Sequence, residues 1–430
     1  MSRTLSFGKG LIGTLSISAV IALSGCAPTP PPPTPKPTAA PESPAPDPYD
    51  GPIAFVGDEL DWFLLSAEEI AGVLPDVGEV SPAVASLVQV SDGGGYEPVP
   101  AICNAVYAEV SIGSIGARSV TWTSALPEDR DGWFHVLQFA DEEAATARMD
   151  QYVAAAEQCA EFQFGGPSSF ASSTVEGEGG VRAVAGSLIL TYPEGGGHSQ
   201  YKGYASVGNV IVEMWQPFTG DPRFDAEAAA ALLRDRMSEA RAKLVAALTA
   251  DPPAPAETAA PADPAAPWSE WEVTAAGVGP VRLGMELDAA IASVPDVTVE
   301  ESAWPGGPTR LVSPDGSASL VLLTHEGGSV VAAVSVGDAN VHGGRTHDGA
   351  ALPSASGVKV GDPVSSAFST FPEGTALRVV SSAEYFYEWS TREGVVLRFR
   401  LDRDSAQQSD AVITGITVED ATLDKPPVYG

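Results

Sequence analysis

The sequence runs to 430 residues, with 56 acidic side chains against 23 basic ones and a formal net charge of −33. That balance excludes nucleic-acid binding, which needs a Lys/Arg footprint to displace phosphate counterions, and it excludes electrostatic docking on an anionic membrane surface. Hydrophobic residues make up 44% of the chain, enough for ordinary globular cores, and the acids are spread along it as on a solvated surface.

Arg3 and Lys9 form a positive n-region ahead of an apolar stretch over residues 11–23. A spanning helix needs roughly 20 apolar residues, so this stretch is too short to cross a membrane. Leu23-Ser24-Gly25-Cys26 follows, and it resembles the lipobox of bacterial lipoproteins. The resemblance implies a signal peptide over residues 1–25, a lipid (palmitate among its acyl chains) on the Cys26 thiol, and a membrane partner reached through that anchor. The mature chain would then sit on the extracytoplasmic face of the cell membrane. A non-lipidated secretory signal is the alternative. With Cys26 so used, Cys103 and Cys159 remain, and an even pair outside the cytoplasm reads as one disulfide. A bridge of that loop length would stabilise the fold by about 4 kcal/mol in the chain-entropy picture. Redox or metal-binding pairs are usually spaced more closely. Residues 26–50 are rich in Pro, Thr and Ala and read as a stiff, extended tether.

The first globular block spans residues 51–250. Ser66 with Glu69 makes a capping box, and Leu65 with Ile70 a hydrophobic staple, so a helix begins there and ends near Pro75. A Gly-rich turn at residues 93–95 precedes Cys103. Strand-like runs at 119–124 and 133–139 are separated by the turn at residues 127–132. Asp141 caps a helix with Ala145, Met149, Tyr152, Val153, Ala156 and Cys159 at helical spacing. Further strands are expected at 181–185, 187–191, 201–207 and 209–215, with Gly208 as a tight turn. A closing helix is capped by Asp225 and carries Leu233, Met237, Ala240, Leu244 and Leu248. The order predicts an α+β fold with helices packed on an antiparallel sheet.

Several stretches of this block resemble the extracellular sensor domain of actinobacterial serine/threonine kinases of the PknH type. They are Leu64-Leu65-Ser66-Ala67-Glu68-Glu69-Ile70, Pro100-Ala101-Ile102-Cys103-Asn104-Ala105, Trp133-Phe134-His135-Val136, Glu157-Gln158-Cys159-Ala160 and Val207-Gly208-Asn209-Val210-Ile211-Val212. The resemblance implies a cleft-bearing, non-catalytic sensor or ligand-binding module. Members of that family commonly carry a second cysteine pair in the later strands. Here Tyr204, Met214 and Trp215 occupy that region and no cysteine does.

Residues 251–267 form a second linker, rich in Pro, Ala and acids. The block at 268–425 is internally duplicated, with repeats at about 278–338 and 355–420. A shift of 77 residues aligns Val281-Arg282-Leu283-Gly284-Met285 with Val358-Lys359-Val360-Gly361-Asp362. It also aligns Leu320 with Leu397 and Leu322 with Phe399. A five-residue insertion then brings residues 330–336 onto 412–418. Each repeat reads as strand, glycine turn, short helix and strands, predicting a second α+β domain built from two similar halves. The glycine turn and helix resemble those of small SmpA/OmlA-type envelope modules.

Residues of catalytic type do not assemble into a constellation. His342 and His347 supply two ligands where a zinc site needs three or four, so neither metal nor cofactor is expected. Asp402, Asp404 and Asp410 fail the calcium-loop pattern at Ala406 and Ile413. Neither a Gly-x-Ser-x-Gly elbow nor a phosphate-binding loop occurs. Glu142 and Glu143 suit a first helical turn and its dipole. No catalytic residue is therefore assigned, and the protein is not expected to be an enzyme. The aromatic residues Tyr192, Tyr201, Tyr204 and Trp215 are the candidate ligand-binding side chains, although aromatics on half-buried strands also suit a core. The expected function is a membrane-anchored, non-catalytic sensor or binding module for an envelope component such as a cell-wall fragment, glycan or lipid. The alternatives are a structural lipoprotein that contacts envelope proteins and, last, an envelope hydrolase.

Overall fold

The computed structural model describes residues 48–89, 97–108, 111–124, 131–192, 195–253, 262–302, 307–337, 348–405, 408 and 410–423. Those residues belong to one compact α+β unit. Cys26, the segment around it and the His342–His347 loop lie outside the described residues. Among the described residues no helix is long and apolar enough to cross a membrane.

Local signals place the first elements. Helix α1 (Ala67–Val73) starts where Ser66 Oγ accepts from Glu69 N at 3.2 Å and Glu69 Oε2 accepts from Ser66 N at 2.8 Å. Asp141 caps α2 (Glu142–Gln158) by accepting from Ala144 N at 2.8 Å, and Asp225 caps α3 (Ala226–Ala250) through Ala228 N at 3.0 Å. Each carboxylate satisfies an amide the helix leaves unpaired and faces the positive end of its dipole. Among the described residues the strands of this block are β1 (Val77–Val80), β2 (Ser86–Gln89), β3 (Gly116–Ser124), β4 (Gly132–Gln138), β5 (Phe162–Phe164), β6 (Gly166–Glu176), β7 (Arg182–Thr191), β8 (Gly197–Val207) and β9 (Val210–Phe218). All but β2 form an antiparallel sheet in the order β1-β3-β4-β9-β8-β7-β6-β5. The two runs expected at 181–185 and 187–191 are a single strand, β7. The hydroxyl-rich β6 carries no strand-like pattern in its sequence; its long pairing with β7 makes it a strand.

One face of this sheet packs on α1 and α3 through Phe55, Phe63, Phe134, Val212, Leu233 and Met237. The other packs on α2 through Leu137, Met149, Tyr152, Leu188, Tyr204 and Ile211. Complete burial of such side chains is worth about 1.5–3 kcal/mol each. Cys103 and Cys159 are bonded (S–S 2.04 Å) and fully buried, tying a short 3-10 turn at Ala101–Val106 to the end of α2. Gly208 and Asn209 make the β8–β9 turn. Asn209 is fully buried, its Oδ1 accepting from Phe55 N at 2.7 Å and its Nδ2 donating to Phe55 O (3.2 Å) and Phe139 O (3.0 Å).

The second block opens with a small sheet of β10 (Val273–Thr274), β11 (Gly277–Val278) and β12 (Val281–Arg282), followed by α4 (Leu287–Ala292). Then come β13 (Thr298–Glu300), β14 (Thr309–Val312), β15 (Ser319–Thr324) and β16 (Val331–Gly337). The second half follows with α5 (Val364–Thr370), β17 (Thr375–Val379), β18 (Glu384–Ser390), β19 (Val395–Leu401) and β20 (Ile413–Asp420). Their sheet runs β13-β14-β15-β16-β20-β19-β18-β17, with the halves meeting between β16 and β20.

The duplication extends to individual hydrogen bonds. Gly284 N donates to Val331 O (2.9 Å) and Gly361 N to Ile413 O (2.8 Å). Leu287 N donates to Ser329 O and Val364 N to Ala411 O, and Val331 N to Met285 O as Ile413 N does to Asp362 O. Gly284 and Gly361 both have positive φ (79° and 95°), a backbone that disfavours any side chain bearing Cβ, which explains the repeated glycine. Ser335 and Thr417, equivalent under the repeat, face each other across the junction with hydroxyl oxygens 2.7 Å apart. That is the geometry of a local two-fold axis. The five-residue insertion is the longer loop between β19 and β20. Leu320, Leu322, Leu397 and Phe399 share one core beneath α4 and α5.

The two blocks share secondary structure. Strand β2 leaves the first block and pairs parallel with β17, extending the second sheet to nine strands. Leu87, Leu377 and Phe386 thereby join the α2-side core of the first sheet. Thr375 Oγ1 accepts from Ala117 N at 2.9 Å, and Arg392 pairs with Glu59 at 2.7 Å.

Candidate functional site

Strand pairing gathers a polar and aromatic cluster on the α2-side face of the first sheet. Trp133 on β4 lies directly opposite Trp215 on β9, and His135 opposite Glu213. On β8, Lys202 pairs with Trp215 and Tyr204 with Glu213. Residues opposite one another in a ladder share a face, so all six side chains project the same way. The indole rings stack with centroids 3.8 Å apart and planes 11° from parallel, and the His135 ring lies 5.7 Å beyond Trp133 at 17°. Both tryptophans remain half-buried.

Beneath them sits a buried ion pair. Glu213 Oε1 lies 3.1 Å from Lys202 Nζ, with side-chain exposures of 4% and 6%. Glu213 Oε2 accepts from Trp133 Nε1 at 3.3 Å, and Trp215 Nε1 donates to Gln200 Oε1 at 2.6 Å. The two indole N–H groups are therefore committed inward, which holds the stacked rings in place and leaves the exposed part of the half-buried pair for contact. His135 Nδ1 stands 3.8 Å from Glu213 Oε2, too far for a hydrogen bond, and has no partner among the described residues. Burial holds the imidazole below its ordinary value; the Glu213 carboxylate pulls against this and the Lys202 ammonium adds to it.

Of the four aromatic candidates, the structure brings Trp215 into this cluster. Tyr204 lies on the same face but is fully buried, stacked on Tyr152 of α2 at 3.9 Å. Tyr192 is half-buried further along, bonded to His198 Nδ1 at 2.5 Å. Tyr201 points to the opposite face, stacked between Phe218 (4.3 Å) and Phe224 (4.8 Å) in the α3-side core. The four do not line one cleft. Trp133, Lys202, Glu213 and Gln200 escaped the sequence reading. The signal was present as alternation, since Trp133/His135 and Glu213/Trp215 are each two apart on predicted strands. The register that sets them side by side is a tertiary fact.

Arranged this way, the cluster offers a stacked, half-exposed aromatic pair over a neutralised polar base. Glu213 already accepts from a lysine and an indole. Among the described residues no three His, Cys, Asp or Glu side chains converge on a point where an ion could sit. Asp402 and Asp410 instead flank Arg403, at 2.8 and 3.8 Å.

No known protein family matches the sequence, and no curated protein does. Among solved structures, the extracellular domain of PknH from Mycobacterium tuberculosis is similar at 16% identity and a TM-score of 0.30, over 44% of this chain and 100% of that one. An uncharacterized protein from Mycobacterium smegmatis is similar at 14% identity and a TM-score of 0.25, over 43% and 97%.

Proposed function

We propose that this protein is a non-catalytic binding module of the cell envelope, held at the extracytoplasmic face of a membrane by a lipid on Cys26. Its ligand is an envelope component with a flat, weakly polar face, such as a glycan. The observation that carries the reading is the stacked, half-exposed Trp133–Trp215 pair, fixed by hydrogen bonds to Glu213 and Gln200. Aromatic rings whose polar atoms are satisfied internally suit the apolar face of a sugar ring, which needs area and little charge. The strongly acidic chain favours a neutral ligand over an anionic one.

The test is a titration of the purified protein with soluble cell-wall oligosaccharides, read by calorimetry and tryptophan fluorescence. Saturable binding is expected, with loss of at least about tenfold in affinity for Trp215→Ala, a change worth 1.4 kcal/mol. Unchanged affinity in a folded Trp215→Ala variant would sink this site. For the anchor, Cys26→Ser should move the protein from the membrane fraction to the soluble one; retention in the membrane would refute lipidation at that residue.

A further inference from the structure

Among the described residues the two large sheets end in β1 and β5 and in β13 and β2, all short strands, and β6 lies one place in, beside the three-residue β5. Strand β1 is also broken by a register shift. Strand β6 is different. It pairs with β7 without a bulge from Ser169 opposite Ile189 to Glu176 opposite Arg182. On its other side β5 covers only Gly166 to Ser168, and Phe170 N donates to Cys159 O at 2.8 Å. From residue 171 to 176 no described strand pairs with that edge. Its sequence there, Ala171-Ser172-Ser173-Thr174-Val175, has no Lys, Arg or Pro, the residues by which natural edges are usually protected.

This edge runs along a cavity of about 470 Å³. Ala156 and Ala160 at the end of α2 form one wall, and Pro222 and Phe224 ahead of α3 form the other. The cavity beside this unpaired strand, alanine-lined on one side and apolar on the other, leaves room for another strand and for its alternating side chains. Ser187 on β7 also lines the cavity and is only 6% exposed.

The charges around the groove decide the occupant. Exposed Glu157 and Glu161 flank one wall, Asp221 and Asp225 the other, and Glu176 ends the strand. The nearby cations are committed elsewhere, Arg223 to Asp76 and Arg182 to Asp150. A second copy of this chain would bring the same acids against these and is disfavoured by repulsion. We infer that the open edge of β6 accepts an extended peptide with small or apolar residues at its centre and Lys/Arg at its ends, added as a further strand.

The experiment uses the full chain and a labelled synthetic peptide, Lys-Arg-Val-Ala-Val-Thr-Val-Lys-Arg, followed by fluorescence anisotropy. Three comparisons accompany it: the same peptide N-methylated at alternate central residues, one with Glu in place of each Lys and Arg, and the exposed-site variant Ala171→Lys. Saturable binding is expected, weakened at least about tenfold by each change and by added salt. Binding that survives N-methylation overturns strand addition, and equal binding of the acidic peptide overturns the charge argument. Absence of binding by the basic peptide overturns the proposal outright. So does a dimer that Ala171→Lys dissociates, since the groove would then belong to a second copy. Trp215→Ala should leave peptide affinity unchanged, keeping this site separate from the tryptophan platform.

Discussion

Lys202→Met is the sharpest test of the cluster beneath the tryptophans. Methionine keeps most of the lysine stem's packing but removes the ammonium 3.1 Å from Glu213. Both partners are at least nine-tenths buried, so the carboxylate would be left uncompensated in a poorly solvated site. Breaking a buried pair from one side costs about 3–5 kcal/mol. The double variant Lys202→Met/Glu213→Gln removes both charges while the glutamine carbonyl still accepts from Trp133 Nε1. It should lie within about 1–2 kcal/mol of the parent, because a neutral, hydrogen-bonded replacement avoids the desolvation penalty. Coupling between the two sites should therefore reach about 2 kcal/mol or more. The assay is hydrogen exchange of the β8 and β9 amides, supported by urea unfolding. If the double variant falls as far as the single one, the loss comes from packing and the electrostatic argument is wrong. A single variant as stable as the parent would mean that water reaches the pair.

Asn209→Ala removes three hydrogen bonds to the buried main chain of Phe55 and Phe139 and should cost about 2–4 kcal/mol. Urea midpoints of parent and variant check it, and a shift equivalent to under about 1 kcal/mol would show that water replaces the amide. Replacing Cys103 and Cys159 by alanine opens a loop with a sequence separation of 56, and should lower stability by about 4 kcal/mol. Thermal melts under non-reducing conditions test this, and an unchanged midpoint would contradict it. The depressed His135 imidazole makes a signed prediction. The unfolded chain takes up a proton near histidine's ordinary value of 6.5 that the folded chain refuses until lower pH. Stability therefore holds above that value and declines as pH falls below it, by proton linkage. Between about pH 7.5 and 5 the parent should lose more thermal stability than His135→Asn. Parallel pH curves for the two would refute the assignment.

Much of the architecture was legible because its signals are local. The carboxylate caps at Asp141 and Asp225, the Ser66–Glu69 box and the apolar spacing of α2 and α3 act within one or two helical turns. The repeat was legible for a related reason: Gly284 and Gly361 are each required by their own backbone conformation, so the pattern survives in both halves whatever surrounds it. The β8–β9 hairpin was equally visible, since Gly208 is the sort of residue such a turn demands.

What only the tertiary structure decided is which distant residues meet. Strand β6 carries no strand-like pattern and is made a strand by its pairing with β7, a non-local contact. The transfer of β2 to the second sheet, joining the two sequence blocks, rests on hydrogen bonds between residues nearly three hundred positions apart. Tyr201 and Tyr204 look alike as aromatic strand residues, yet their odd separation of three sends them to opposite faces and into different cores. Trp133 and Trp215 looked unrelated and are stacked. Alternation along one strand is written in the sequence, but the register between strands follows from the packing of both faces at once. That register is what turns separate aromatic, acidic and basic residues into a single platform.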